Sequence, residues 1–291
     1  MAIDFTELRR IRATSPEKIA LALTNRKKRP LLQGDGKLLL VAADHPARGA
    51  IAVGDNPIAM ADRYDLLERL VLALSRPGVD GVLGTPDIIE DLALLGVLDE
   101  KIVAGSMNRG GLRGAIFEMD DRYTAYDIAG IVDSGLDFAK NLIRINLEDS
   151  GSLETIEASA HAVNEATAAK IPIMLEPFMS DWQDDKIKND LSTDAVILSI
   201  AIASGLGRSS AYSWLKLPVV ENMERVMAST TLPTLLLGGD TDKDQAKIFA
   251  SWKAALKLPG VHGLVVGRSL LYPTDGNVQS AVDAAAELVH G

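Results

Sequence analysis

One lysine stands inside an apolar run in the last third of the chain. Lys216 lies in the segment Tyr-Ser-Trp-Leu-Lys-Leu-Pro-Val-Val. If this segment is a strand buried on both faces, it offers no surface for an ammonium group, and burial favours the neutral amine. A neutral lysine amine can attack a carbonyl carbon and form a Schiff base. The residues alone leave a second interpretation equally open, a structural lysine held by an ion pair.

Further charged residues interrupt or follow other apolar runs. They are Asp44, Lys140, Arg144, Glu176 and Arg268. Side chains of a strand alternate between two faces, so Lys140 and Arg144 share a face, although roughly 13 Å separates them along the strand. Either cation would favour the neutral form of a nearby Lys216. Which of the two lies nearer the mouth of the site is left open by the sequence.

Two acids and one histidine complete the candidate catalytic set. Glu176 can exchange protons with a substrate hydroxyl or a carbinolamine, and it can also neutralise the cations of the preceding run. Asp44 can orient substrate hydroxyls or pair with Lys140. His45, beside Asp44, can relay protons near neutral pH or simply pack in a loop. The sequence has no H-x-H or H-E-x-x-H motif, so we expect no metal and no other cofactor.

Glycines end the last two apolar runs. Gly238 and Gly239 follow one run, and Gly267 and Arg268 follow the other. Glycine lets backbone N–H groups approach an anion, and arginine adds charge. Barrel enzymes often bind phosphate in the loops after their last two strands. We therefore predict a phosphate site at these four residues, with Arg144 and His45 as further substrate contacts.

The elements that must position these side chains alternate along the chain. Eight short apolar runs read as strands: Lys37–Ala43, Val79–Gly84, Lys101–Gly105, Phe138–Asn146, Ile171–Leu175, Tyr212–Leu217, Leu232–Leu237 and Val261–Val266. Amphipathic stretches with apolar residues three and four apart separate them, which indicates βα units. Eight units predict a single (β/α)8 TIM barrel over residues 37–291. A doubly wound open sheet is the competitor, but no G-x-G-x-x-G motif follows the first strand.

A helical extension precedes the barrel over residues 1–36. Ser15, Pro16 and Glu17 form a helix-start pattern, so we predict one extra N-terminal helix there. The basic run Arg26–Arg29 follows that helix and precedes Pro30. We interpret this run as a solvated helix end, because cations are favoured at helix C-termini.

Composition excludes several classes of protein. The 291 residues carry a formal net charge of −10, which disfavours nucleic acid as a partner, and no cysteine is present for disulfides or thiolate sites. No apolar run reaches membrane-spanning length and no signal peptide opens the chain, so we expect a cytoplasmic protein. We also expect a homo-oligomer that takes a small phosphorylated sugar.

The order of these motifs resembles the class I aldolases of the deoxyribose-phosphate and tagatose-bisphosphate superfamily. The resemblance runs from about Lys37 to Tyr272 and includes Ala-Ala-Asp44-His45, Ala139-Lys140, the Pro-x-x-x-Glu pattern ending at Glu176, Trp-Leu-Lys216 before a proline, and Gly267-Arg268-Ser269. It implies that Lys216 is the Schiff-base lysine. Leu-Leu-Gly-Gly-Asp stands where the tagatose type usually has a serine in its phosphate motif.

The chain also looks similar to an actinobacterial aldolase-like group associated with inositol catabolism. That resemblance implies 5-dehydro-2-deoxyphosphogluconate as a substrate, cleaved to dihydroxyacetone phosphate and malonate semialdehyde. Two alternatives remain from the residues. One is a sugar-phosphate isomerase or epimerase that uses Asp44, Glu176 and His45 without a covalent intermediate. The other is a non-catalytic barrel that binds a phosphorylated metabolite.

Overall fold

The computed structural model describes residues 3–107, 111–184, 186–238 and 245–291. Within these ranges the strands are β1 (Leu38–Ala42), β2 (Gly81–Gly84), β3 (Ile102–Ser106), β4 (Phe138–Ile145), β5 (Ile173–Gln183), β6 (Lys186–Asn189), β7 (Ser213–Leu217), β8 (Thr234–Leu237) and β9 (Val261–Val266). The helices are α1 (Phe5–Thr14), α2 (Glu17–Thr24), α3 (Arg63–Leu74), α4 (Pro86–Leu94), α5 (Ile128–Asp133), α6 (Gly151–Ala169), α7 (Thr193–Ser204), α8 (Met223–Met227), α9 (Gln245–Ala255), α10 (Arg268–Leu271) and α11 (Val278–His290).

Eight of the strands close into a parallel barrel. Their order around the ring is β1, β2, β3, β4, β5, β7, β8 and β9, and β9 pairs again with β1. Each of the eight predicted strands overlaps one of them, and helices surround the ring. The prediction of a TIM barrel is confirmed.

Alternation along each strand separates two apolar layers. Leu38, Leu40 and Ala42 of β1 point into the barrel, whereas Leu39 and Val41 pack against the helices. The inner layer is a plug that also contains Phe138 of β4, Met174 of β5 and Trp214 of β7. The Phe138 and Trp214 rings meet edge to face with centroids 5.3 Å apart. The floor of the barrel is therefore filled.

Side-chain caps fix where several helices begin. Asp62 accepts hydrogen bonds from the backbone N–H groups of Tyr64 and Asp65, and Asp127, Ser192 and Asn277 cap α5, α7 and α11 in the same manner. These caps satisfy N–H groups that have no partner inside the helix. They define where α3, α5, α7 and α11 begin.

The N-terminal extension contains two helices, α1 and α2, where one was predicted. The basic run Arg26–Arg29, which follows α2, also differs from the predicted solvated helix end. Arg26 is buried and its Nη2 lies 2.8 Å from Asp137 Oδ2, while Arg29 Nη1 lies 2.6 Å from Asp80 Oδ1. The prediction of a solvated helix end was wrong for these two arginines, because carboxylates at the amino end of the barrel pair with them.

Strand β5 is longer than the sequence indicates. It runs past the barrel, turns near Asp184, where φ is 51°, and returns as β6, so that β5 and β6 form an antiparallel hairpin. This β5–β6 hairpin stands at the carboxyl end of the ring. Among the described residues, no helix is long and apolar enough to cross a membrane.

Candidate active site

Four charged residues form the layer directly above the apolar plug. Asp44, Lys140, Glu176 and Lys216 each follow an inward-facing plug residue by two positions, at Ala42, Phe138, Met174 and Trp214. Because side chains alternate, all four point into the barrel. Each is at most 8% exposed. The sequence-predicted catalytic residues thus lie together at the carboxyl ends of four strands.

Glu176 bridges the two lysines. Its Oε1 lies 2.8 Å from Lys216 Nζ and its Oε2 lies 2.5 Å from Lys140 Nζ. Burial raises the pKa of Glu176, but the nearby positive charges of Lys140 and Lys216 outweigh burial and lower that pKa to about 2. Glu176 is therefore a carboxylate throughout the physiological range, and its charge attracts the ammonium form of both lysines.

Asp44 lies on the other side of Lys140. Its Oδ2 is 3.4 Å from Lys140 Nζ and accepts a hydrogen bond from Ser106 Oγ at 3.1 Å. The side chain of His45 is half-buried, and its Nδ1 lies 3.8 Å from Asp44 Oδ1. Lys140 thus stands between two carboxylates. The sequence left open whether Asp44 pairs with Lys140, and the structure contains this ion pair. Ser106 on β3 was not predicted, and no charge or motif marks it in the sequence.

A crevice lies beside Gly238 and the turn after β9, where the sequence predicts a phosphate site. A Cβ at Gly267 would stand 2.5 Å from the Ala42 carbonyl oxygen and 2.8 Å from His45 Cε1, so only glycine fits there. Gly238 and Arg268 line the same crevice, and the buried hydroxyl of Ser269 has no hydrogen-bond partner among the described residues. The predicted phosphate residue Gly239 lies outside the described residues.

Arg144 takes a different place from the one predicted. Its Nε lies 2.7 Å from Asp121 Oδ2 and its Nη1 lies 2.8 Å from Glu118 Oε1, and Nη2 donates to the carbonyls of Glu118 and Gly111. Within the part of the chain that the structure describes, Arg144 is not among the residues around the cavity. It points inward like Lys140 but one level higher, where acids of the loop between β3 and α5 bind it. We therefore correct its interpretation as a substrate contact.

One cavity joins the charged layer to the crevice, with a volume of about 190 Å³. Of the predicted residues, it is lined by Asp44, His45, Lys140, Glu176, Lys216, Gly238, Gly267 and Arg268. Sequence reasoning missed Arg48 and Asn189, which also line it, together with the apolar side chains of Leu142 and Phe178. Arg48 lies in a 3-10 turn, Pro46–Arg48, immediately after Asp44 and His45, so its nearness to that motif was an available signal.

Metal-binding residues do not cluster in the described ranges. No group of three or more His, Cys, Asp or Glu side chains there could hold an ion. The carboxylates of Glu176 and Asp44 instead contact lysine ammonium groups. In the described part of the cavity, the cations that face these two carboxylates are therefore Lys140 and Lys216.

Comparisons with known proteins agree with this fold. The crystal structure of Cgl0159 from Corynebacterium glutamicum is 68% identical and superposes with a TM-score of 0.96, covering 98% of this chain and 96% of that one. A Schiff-base-forming fructose-1,6-bisphosphate aldolase superposes with a TM-score of 0.67 at 20% identity, covering 94% of this chain and all of that one. An archaeal fructose 1,6-bisphosphate aldolase gives a TM-score of 0.65 at 19% identity, over 93% and 98% of the two chains.

Sequence comparison identifies one further relative and the family to which the chain belongs. The 2-amino-4,5-dihydroxy-6-oxo-7-(phosphonooxy)heptanoate synthase of Streptomyces griseus is 23% identical over 257 residues, which cover 87% of this chain and 85% of that protein. The profile of the Cgl0159-like family matches residues 36–286. With most of its length matched in this way, the chain belongs to the Cgl0159-like family.

Proposed function

We propose that this protein is a class I aldolase, a lyase that breaks or forms a carbon–carbon bond in a phosphorylated keto sugar or sugar acid. The observation that carries the proposal is the Lys140–Glu176–Lys216 arrangement, with Nζ atoms 2.5 and 2.8 Å from one carboxylate. Two lysines in one cavity provide a nucleophile and a separate proton carrier. Lys216 is the nucleophile in this proposal.

The first stage forms an iminium. Lys216 passes a proton to solvent, and its neutral amine adds to the substrate ketone to give a carbinolamine. Lys140 donates a proton to the carbinolamine hydroxyl, which leaves as water, so that a C=N⁺ bond remains. Glu176 keeps its negative charge throughout, because a carboxylate with a pKa of about 2 is a weak base and carries no proton to donate near neutral pH. Its charge stabilises the iminium.

The second stage breaks the carbon–carbon bond. The substrate hydroxyl beyond that bond gives its proton to the now neutral Lys140, the bond's electron pair moves to the iminium, and an aldehyde leaves. Asp44, 3.4 Å from Lys140, positions that hydroxyl by accepting a hydrogen bond. Protonation of the enamine and hydrolysis then release the ketone and restore Lys216. The reverse sequence performs condensation.

The crevice at Gly238, Gly267, Arg268 and Ser269 places the substrate phosphate. The name of the Streptomyces griseus relative describes a ketone next to a phosphate-bearing carbon, which is the arrangement that this cavity would bring to Lys216. We propose dihydroxyacetone phosphate as the ketone part. Resemblance to the inositol-associated group makes 5-dehydro-2-deoxyphosphogluconate our first candidate for the whole substrate.

Borohydride trapping tests the Schiff base. Incubating the protein with dihydroxyacetone phosphate and borohydride should add one reduced adduct per chain, mapped to Lys216 by peptide mass spectrometry. Lys216→Met should abolish labelling, and Lys253→Met, a change of an exposed lysine on α9, should leave labelling intact. A chelator should not reduce turnover.

Two results would contradict the proposal. Wild-type protein that takes no label disproves the covalent intermediate, and proton exchange with solvent in the same sample would then support an isomerase. Equal labelling of Lys216→Met would show that another amine reacts. A panel of keto sugar phosphates, assayed for aldehyde release, identifies the substrate.

A further inference from the structure

We propose that Asn189, on the β5–β6 hairpin, selects the aldehyde part of the substrate by donating a hydrogen bond from its Nδ2 to an oxygen on that part. This inference rests on the proposed aldolase function and extends it to the end of the substrate that carries no phosphate. Three features of the described residues support it: the place of the hairpin on the ring, the orientation of the amide, and the anchoring of the hairpin.

The hairpin and the phosphate crevice stand on separate parts of the ring, since β7, the strand of Lys216, lies between β5 and β8. Going round the ring from β1 to β5, three strands intervene on either side, so β1 and β5 stand opposite each other. The crevice is built by the ends of β8 and β9, and β9 adjoins β1. Asn189 nevertheless lines the same cavity as Gly267 and Arg268. A substrate whose phosphate occupies the crevice therefore extends past Lys216 towards Asn189.

The amide of Asn189 is oriented by its strand partner. Ser180 of β5 pairs directly with Asn189 of β6, and its buried Oγ donates a 2.9 Å hydrogen bond to Asn189 Oδ1. This bond occupies the acceptor side of the carboxamide. Among the described residues, no acceptor binds the Nδ2 group, so its two N–H donors are available to a ligand in the cavity.

The hairpin is fixed before substrate arrives. Trp182 Nε1 donates a 2.6 Å hydrogen bond to Asp149 Oδ2, and the backbone N–H of Asp190 donates a 2.8 Å bond to the Met179 carbonyl. The first bond holds the hairpin to the loop after β4, and the second joins the two sides of the hairpin beside Asn189. A donor held in advance at one position discriminates better than one that must be ordered on binding.

The surroundings of Asn189 indicate the chemical class of the partner. Leu142 and Phe178, which line the cavity on β4 and β5, are apolar and suit the carbon chain of an aldehyde. A neutral N–H donor pairs with the lone pair of a hydroxyl or carbonyl oxygen. We therefore assign to this side of the cavity a short aldehyde that carries an oxygen beyond its reacting carbon.

A pair of three-carbon aldehydes tests the assignment. Glyceraldehyde carries hydroxyls that propanal lacks, so wild-type protein should condense dihydroxyacetone phosphate with glyceraldehyde with a kcat/KM at least about ten-fold higher than with propanal. Asn189→Asp keeps an acceptor for Ser180 but replaces the N–H donors by an oxygen. This change should lower the ratio of the two kcat/KM values about ten-fold.

The matched control is Lys188→Asn on the opposite face of β6, where Lys188 pairs with Asp181. This variant should leave the ratio unchanged. Wild-type protein with no preference, or Asn189→Asp losing activity equally with both aldehydes, would overturn the inference, as would a protein that adds the ketone to neither aldehyde. Borohydride labelling of Lys216 is read separately: labelling with an unchanged ratio disproves only the role of Asn189, whereas no labelling disproves the aldolase.

Discussion

At the scale of single residues, Glu176 determines the charge of the cavity. The carboxylate is buried between two lysines, and their positive charges hold it ionised. From the sequence it could be either a proton donor or a counter-ion to cations. The geometry supports the counter-ion, with proton transfer assigned to Lys140.

Removing that charge should slow the reaction by at least about 100-fold. In Glu176→Gln, the two lysines face each other without an anion between them, and the iminium loses a stabilising charge. Borohydride labelling of Lys216 should slow as well, because the iminium that borohydride reduces is less stable without the carboxylate.

Steady-state turnover and the rate of borohydride labelling at one pH check this expectation. Circular dichroism serves as the control for folding. Unchanged turnover in a folded Glu176→Gln protein would show that the carboxylate has only a structural role.

Residues on barrel strands were predictable for a simple physical reason. Period-two alternation in buried strands places Asp44, Lys140 and Lys216 inside the barrel once the strands are known. Arg48 and Asn189 could not be assigned in this manner, because a turn and a hairpin outside the ring position them. Their approach to the cavity depends on tertiary structure.

At the scale of elements, Arg144 fastens the loop between β3 and α5. Its guanidinium binds Glu118 and Asp121, both buried, and the carbonyl of Gly111. The same loop reaches the cavity wall, since the backbone N–H of Arg113 donates to the Arg48 carbonyl at 2.9 Å. The sequence could not show this, because the acids lie more than 20 residues from Arg144 on a loop without a periodic pattern.

Replacing the guanidinium by an apolar side chain should cost stability. Arg144→Met leaves two buried carboxylates without their cation, so the free energy of unfolding should fall by about 3–5 kcal/mol. Arg122 on the same loop is the control: its side chain is 57% exposed and pairs with Asp120, so Arg122→Met should cost less than about 1 kcal/mol. Urea denaturation compares the two variants, and equal losses would contradict a special role for Arg144.

The β5–β6 hairpin is an element that the sequence did not indicate, and helix α1 is another. Within the described part of β5 and β6, residues beyond Ser180 are mostly exposed and polar, so no apolar alternation marks them. The barrel strands, by contrast, were found because continuous apolar runs are typical of strands buried on both faces. Helix α1 was missed because its only fully buried side chain is Leu8.

At the scale of the whole molecule, a second charged network closes the amino end of the barrel. His290, at the end of α11, lies 2.7 Å from Asp35 Oδ2 and 3.1 Å from Asp80 Oδ2, and Asp80 also pairs with Arg29. The C-terminal helix, the extension and the barrel therefore meet at one point. The hydrogen bond to Asp80, helped by that to Asp35 and opposed by burial, raises the pKa of His290 to about 9.

This raised pKa predicts a pH dependence of stability. The protonated form of His290 is favoured by folding, so its contribution is complete below about pH 6.5 and is lost as the pH rises through about 9. Because the ring is partly exposed, solvent screening limits the effect to about 1 kcal/mol. Unfolding measured from pH 6 to 10 should show this decline in wild type.

Two histidine variants separate this effect from other titrations. His290→Gln should remove the decline, whereas His161→Gln, which changes an imidazole that is 71% exposed on α6, should retain it. A decline of the same size in His290→Gln would contradict the assignment. Activity should stay nearly constant in both variants, since the network lies at the end opposite the cavity.

The β5–β6 hairpin gives this barrel a route to new substrates. The strand that carries Glu176 inside the ring continues into an exposed hairpin that carries Asn189. In the two proposals above, the inner part of this strand serves the chemistry and the outer hairpin contacts the aldehyde. Random libraries confined to the outer hairpin would sample aldehyde scope while the lysines stay in place.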